Sequence, residues 1–331
     1  MRILFDAPTV MYNYWSIALK DLGIEVKAAP RKIENFEEFT KVAEEFKPDI
    51  ILGSVYIRKE RYDRIYKNIP KWCKDNNISC VWTTTQDPNF CEDTRDQALL
   101  YDYVFTPAAE CVEDYKAIGC KKVGILPLGY NESWSKHEDV PKIYDIAFLG
   151  NYYLPHYERQ KYGIPADHNE VKPGYLNIIK PLIDRGYNIK IWGHKDNWLK
   201  SGLVEEKHLM GLIGYASHAK IYNQAKICIA INSNQYSPTM LSWRTYEILA
   251  CKAFMLSAWS QATENLGTIG KDFTVSRSPE QTVSLVDKYL KNDSEREEIA
   301  RSGCQAVVEK HSTKRRIQQM LEFIDNNGGY K

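Results

Sequence analysis

Short apolar runs alternate with amphipathic stretches along most of the chain. The runs at 3–5, 49–52, 79–82, 103–106 and 122–126 have the length and composition of strands buried on both faces, and 25–28 adds a further strand. Between them, apolar positions recur at three- and four-residue spacing. This predicts helices over 12–22, 36–46, 58–76 (broken near Pro70) and 108–118. Gly23 is a natural stop for the first helix, and Lys47-Pro48 closes the second. The alternation resumes further on, with strands at 144–149, 188–192, 209–213, 227–231, 254–257 and 273–275. Helices are expected at 173–185, 216–225, from a start between Thr239 and Ser242 to Ala250, then at 279–290, 294–310 and 313–325. Repeated strand–helix units of this kind imply mostly parallel sheets with right-handed crossovers, hence an α/β protein.

A chain of 331 residues has room for two domains, each with its own core. The polar stretch 132–141 reads as the linker, so the expected division is 1–131 and 142–311. Hydrophobic residues at 44% and charged residues at 26% place the chain among soluble globular proteins. A net charge of +1 gives no strong field for nucleic acid or for a membrane surface. The eight cysteines are scattered without a Cys-x-x-Cys pair, which argues for reduced, packed thiols in a cytoplasmic protein and for no metal site. No apolar run reaches the ~18 residues a membrane span requires, and no secretory signal pattern opens the chain.

The richest chemistry falls in 227–259, a strand, a polar loop, a helix and a second strand. The loop carries Asn232, and the first helical turns carry Ser242, Arg244, Thr245 and Glu247. A helix N-terminus presents unpaired N–H groups and the positive end of a dipole, which suits a phosphate. Arg244 can add a forked donor to the same anion, and a carboxylate at Glu247 can accept from the paired hydroxyls of a ribose. A solvated Arg–Glu pair on an ordinary helix fits the same spacing.

Other strand-end loops add candidates. No G-x-G-x-x-G follows the first strand, which argues against a dinucleotide-dependent dehydrogenase. The loop 6–14 offers Asn13 and Tyr14 as acceptor contacts. The loop 83–89 offers Asp87 as a base for an acceptor hydroxyl, although Asp-Pro is also ordinary turn chemistry.

Arg244-Thr245-Tyr246-Glu247-Ile248-Leu249-Ala250, followed by the strand Phe254-Met255-Leu256-Ser257, resembles the Arg-x-aromatic-Glu-x-x-Ala signature of the CgeB/YkvP-like, spore-maturation glycosyltransferases. The resemblance continues through 289–300, Gly303, His311 and Arg315-Arg316, and upstream through 144–151. Thr83-Thr84-Thr85-Gln86-Asp87-Pro88-Asn89 is similar to that group's Trp-x-x-Asp-Asp-Pro segment, with Gln86 in place of the first acid. The resemblance implies a GT-B architecture: two facing Rossmann-like domains with parallel sheets and an interdomain cleft, and a last helix at about 312–327 packing back on the first domain. It implies a nucleotide-diphosphate sugar as donor, UDP-sugar first, no required cofactor or divalent metal, and a saccharide, cell-surface or spore-coat acceptor. It places Glu247 on the ribose and Arg244 with the helix amides on the diphosphate. Arg159 becomes a further basic contact, and Gly150, His194 and Gly214 strand-end positions near the nucleotide. Retaining relatives carry a second glutamate eight positions before the first; here that position is Thr239, so sugar and stereochemistry stay open. A UDP-sugar epimerase, a two-lobed solute-binding protein and a DNA-modifying glycosyltransferase share enough of this outline to stand as rivals, the second disfavoured by the missing signal peptide.

Overall fold

In a computed structural model, residues 1–7, 10–30, 33–53, 65–89, 91–152 and 173–330 are described. The chain divides into two compact units, Met1–Asn131 with Thr313–Lys331, and Glu132–Ser312.

The first unit alternates β1 (Arg2–Phe5), α1 (Val10–Asp21), β2 (Glu25–Ala28), α2 (Phe36–Phe46), β3 (Ile50–Gly53), α3 (Ile69–Asp75), β4 (Ser79–Thr83), α4 (Cys91–Ala98), β5 (Tyr103–Thr106), α5 (Val112–Ala117) and β6 (Val123–Ile125). Its six strands are all parallel, in the order β2-β1-β3-β4-β5-β6. Local chemistry sets the boundaries. The Asn35 carboxamide accepts from the Glu38 amide at 3.0 Å and opens α2, whose Phe39, Ala43 and Phe46 are buried on one face. Lys47, with φ of 51°, ends it. Pro70 stands in the first turn of α3, where its missing N–H costs no helical bond; of the helix expected over 58–76, residues 58–64 lie outside the described residues.

The second unit contains β7 (Tyr144–Leu149), a π-type turn (Tyr175–Ile179) running into α6 (Lys180–Asp184), β8 (Ile189–Trp192), α7 (Lys195–Lys200), β9 (Leu209–Gly211), α8 (His218–Gln224), β10 (Ala225–Ala230), α9 (Trp243–Ala250), β11 (Met255–Ala258), α10 (Gln261–Glu264), β12 (Thr274–Ser276), α11 (Pro279–Lys291) and α12 (Asp293–Val308). The sheet is again all parallel, in the order β12-β11-β10-β7-β8-β9. Its core is built from Ile146, Phe148, Ile189, Ile191, Ile227 and Ile229 of the central strands, closed by Trp198 and Phe254. The final helix α13 (Thr313–Asn326) belongs to the first unit: Ile317, Met320 and Ile324 are buried, Thr313 Oγ1 donates to Tyr130 O at 2.8 Å, and Phe323 meets Phe105 edge-on at 5.2 Å.

Strand order fixes where a ligand can enter. In the second sheet the chain runs outward from β7 through β8 to β9, then returns to start β10 on the other side of β7. The crossovers therefore diverge between β7 and β10, leaving a crevice at the carboxyl ends of those two strands. In the first sheet the corresponding divergence lies between β1 and β3.

Candidate functional site

The crevice of the second sheet is closed by one side chain. Arg244, in the first turn of α9, donates through Nε to Leu149 O at the end of β7 and through Nη1 to Ile231 O just beyond β10, the latter at 2.6 Å. Its guanidinium lies over the Phe148 ring, 4.9 Å from the centroid. Gly150 makes room for it: a Cβ there would stand 2.5 Å from Arg244 Nη2 and 2.8 Å from Phe148 Cζ. The next crossing is equally tight, since a Cβ on Gly193 would stand 2.5 Å from Gly150 O. The backbone at this mouth is thus bare peptide beside a guanidinium, an arrangement suited to close approach by an anion.

The loop between β10 and α9 is fixed by Asn232. Its Oδ1 accepts from the Ser242 amide at 3.0 Å and from Thr245 Oγ1 at 3.2 Å, and its Nδ2 donates to Ser260 Oγ at 3.2 Å. Ser242 is the N-cap residue by backbone conformation, yet its hydroxyl accepts from the Ser233 amide at 3.0 Å instead of capping the helix. These polar side chains bind one another and set the aim of α9; they do not stand open as separate donors and acceptors.

Glu247 is 3% exposed, so a solvated Arg–Glu pair does not describe it. Its Oε2 lies 3.1 Å from His218 Nδ1 and accepts from Tyr222 Oη at 3.3 Å. Burial first, and the Glu247 charge next, push the Tyr222 hydroxyl well up, so it stays protonated and donates. Arg244 and Glu247, three apart on one helix, therefore serve different partners. His218 escaped the reading of the sequence, although its spacing of four from Tyr222 on one helix carries a usable signal.

Beside the crevice, a cavity of about 290 Å³ at the ends of β8 and β9 is lined by Gly193, His194, Asn197, Gly211 and Leu212 among others. The His194 ring is exposed, and its amide donates to Asn151 Oδ1 at 2.8 Å. Gly214 precedes a short turn, where a Cβ would meet nothing within 4 Å. Arg159 lies outside the described residues. A second cavity of about 270 Å³, with Lys142, Lys226 and Arg296 in its wall, opens at the opposite, amino-terminal edge of this sheet.

The first unit's candidates differ in exposure: Asp87 and Tyr14 are buried and Asn13 is exposed. Asp87 is fully buried, with Thr84 Oγ1 donating to Oδ1 at 3.1 Å, and Thr106 Oγ1 and Tyr115 Oη donating to Oδ2 at 2.7 and 3.0 Å. Burial raises its pKa from 3.8 to about 6 against the pull of those three donors. A carboxylate so enclosed ties the loop after β4 to β5 and α5. Tyr14 is likewise fully buried, its carbonyl accepting from Asn131 Nδ2 at 2.6 Å, while Asn13 is exposed on α1. The ring of Tyr14 packs in the core. The fold also gathers cysteines that the sequence scatters: ligand atoms of Asp87, Cys91 and Cys111 lie within 4.8 Å of one another, all buried.

Residues 175–322 match the model of a family described as glycosyl transferase-like. Among curated proteins nothing matches. Solved structures share the architecture along the whole chain. A sucrose-phosphate synthase from Thermosynechococcus elongatus is 10% identical, with 99% of each chain covered and a TM-score of 0.62. The HepE protein of Anabaena, solved with UDP-glucose, is 10% identical over 98% of this chain and 100% of its own, with a TM-score of 0.63. The DNA-modifying enzyme β-glucosyltransferase, studied with and without uridine diphosphoglucose, is 13% identical over 98% and 100%, with a TM-score of 0.67. Two α/β units with six-stranded parallel sheets are thus the GT-B fold of these glycosyltransferases.

Proposed function

We propose that the protein is a glycosyltransferase that moves a sugar from a nucleotide-diphosphate sugar, UDP-sugar first, to an acceptor hydroxyl. The observation that carries this reading is the placement of Arg244 and Glu247 on the helix that closes the β7/β10 crevice, inside the segment that matches the glycosyl transferase-like family. Neighbours of the same fold hold UDP-glucose, which makes UDP the first nucleotide to test. Within the family, the Arg244–Ala250 signature favours the CgeB-like branch, and a saccharide or surface polymer as acceptor.

In this reading the diphosphate lies over Gly150 against the Arg244 guanidinium and the first-turn amides of α9. Negative charge grows on the diphosphate as the glycosidic bond breaks, and donors already held in place stabilise it without reorganising. Arg244 is prepared for this, since Nε and Nη1 are anchored on carbonyls. Glu247 takes the ribose hydroxyls, and the cavity beside His194 takes the base. Asn232, Ser242 and Thr245 hold the loop that positions these groups. Charge neutralisation by arginine and amides fits transfer without a divalent metal. In this conformation the three hydroxyls around Asp87 give it a holding role.

The test is a calorimetric screen of UDP, TDP, GDP, ADP and CMP against wild type and Glu247→Ala. Selective nucleotide-diphosphate binding, weakened at least about tenfold in the variant, supports the reading. Absence of binding, or equal binding by the variant, refutes it. A second acceptor class follows from the DNA-modifying neighbour, which has the highest TM-score of the three structures compared. Transfer of radiolabelled glucose from UDP-glucose to DNA with modified, hydroxyl-bearing bases, but not to saccharides, would select it.

A further inference from the structure

Two side chains of a neighbouring helix converge on the carboxylate of Glu247. His218 and Tyr222 stand four residues apart on α8 and reach the same oxygen, Oε2, at 3.1 and 3.3 Å. The histidine is held in turn. Its side chain is 16% exposed, and its ring lies 5.1 Å from that of Tyr215 and 6.1 Å from that of Tyr222. The Glu247 side chain is 4% exposed, so its orientation depends on protein donors more than on water. An ionised carboxylate only accepts, which assigns the hydrogen to His218 Nδ1.

Hydrogen bonds to a carboxylate are directional, and a ribose offers two hydroxyls in one fixed relation. A carboxylate free to rotate would lose much of its advantage for such a pair. Fixing one of its oxygens with two donors sets the plane of the whole group. The arrangement parallels the supporting partners that orient metal ligands: the contacting residue is chosen by chemistry, and its geometry by the residue behind it.

We propose that His218 is a positioning residue for ribose recognition: its Nδ1–H holds Glu247 Oε2 and turns the carboxylate toward the ribose hydroxyls of the nucleotide diphosphate. The inference rests on the donor-site reading above and adds to it a residue that does not itself touch the nucleotide. Tyr222 supplies the second donor to the same oxygen.

The experiment is a cycle between side chain and ligand. Affinities of UDP and 2′-deoxy-UDP are measured by calorimetry for wild type, His218→Ala, His218→Asn and His218→Gln, with thermal unfolding to check each fold. Asparagine places an amide nitrogen near the position of Nδ1, and glutamine places it further out. His218→Ala is expected to weaken UDP about tenfold while leaving 2′-deoxy-UDP nearly unchanged, so that the preference for the ribose hydroxyl collapses. His218→Asn is expected to restore most of that preference and His218→Gln little of it. If His218→Ala does not fold, the Asn–Gln contrast carries the test. Retention of the full preference in His218→Ala or His218→Gln overturns the inference, as does equal weakening of both ligands, which marks a purely structural role. Those results leave the donor site standing as long as Glu247→Ala abolishes UDP binding. Failure of wild type to bind UDP instead removes the donor-site reading, and this inference with it.

Discussion

Asp87 makes a quantitative prediction about stability and pH. Its carboxyl is fully buried, and its pKa rises from 3.8 to about 6 in the native state, with burial as the leading cause. A shift of about two units corresponds to about 3 kcal/mol of preference for the protonated form. The sign follows from proton counting. Between those two values the native chain keeps a proton that the unfolded chain has released, so stability falls as pH rises. The contribution is fully present below pH 3.8 and lost above about pH 6. Asp87→Asn keeps the shape of the group and removes the titration. Relative to wild type, the variant should therefore gain about 2.4 kcal/mol of that as pH rises from about 4 to 7, whatever its offset at the lower end. Other carboxylates titrate in both proteins and cancel in the difference. Hydrogen exchange of the β4 and β5 amides, read alongside urea titrations, confines the measurement to the first unit and avoids assuming one transition for two. A flat difference across that window, or one that grows in favour of wild type, refutes the argument. It would mean that the Thr84, Thr106 and Tyr115 donors outweigh burial and keep the carboxylate ionised.

Further substitutions test the crevice and the packing around it. Gly150→Ala places a methyl 2.5 Å from Arg244 Nη2, so nucleotide affinity measured by calorimetry should fall at least about tenfold as the guanidinium is displaced. Arg244→Lys substitutes one point charge for a fork that reaches both Leu149 O and Ile231 O; it should weaken nucleotide binding and lower Tm together, and an unchanged Tm would show that the carbonyl clamp contributes nothing. Gly303→Ala drives a Cβ to 2.1 Å from Asp272 O, a backbone atom, and should cost at least about 1–3 kcal/mol in chemical denaturation. Gly214→Ala, at φ of −72° with nothing within 4 Å, should leave stability within about 0.5 kcal/mol of wild type.

Most of the architecture could be read along the chain, because strands buried on both faces leave continuous apolar runs that few other elements produce. The runs at 103–106 and 144–149 coincide with β5 and β7, whereas β2 at 25–28 is a partly exposed edge strand without such a run. Departures have local causes. Ala225 and Lys226 suit a helix by propensity, but Ala225 pairs with Tyr144 in the parallel ladder and opens β10 instead. The helices Cys91–Ala98 and Lys195–Lys200 carry few apolar positions and gave no period to detect; they are held by what surrounds them, as when the buried Trp198 donates to Gly150 O at 2.9 Å. The cysteines show the same limit. Cys91 and Cys111 stand twenty residues apart in sequence, yet β4 and β5 are adjacent, so the segments that follow them bring both sulfurs close to Asp87.

The candidate site divides along the same line. Arg244 and Glu247 stood out because their types and their spacing lie within a single helical turn, and local spacing is what a sequence displays. What each does is decided at long range. Arg244 reaches back 95 residues to Leu149 O, a partner that exists only because β10 returns to lie against β7. Glu247 meets His218, 29 residues earlier, because α8 leads directly into β10 and α9 follows it, which seats both helices against the strand they flank. Asp87 shows the converse. An Asp-Pro step in a strand-end loop looks open to solvent, but three hydroxyls from three segments enclose it, and enclosure turns a candidate base into a buried, titratable anchor. Residue type proposed the chemistry in each case, and the order of the strands decided whether a side chain faces a ligand or another part of the protein.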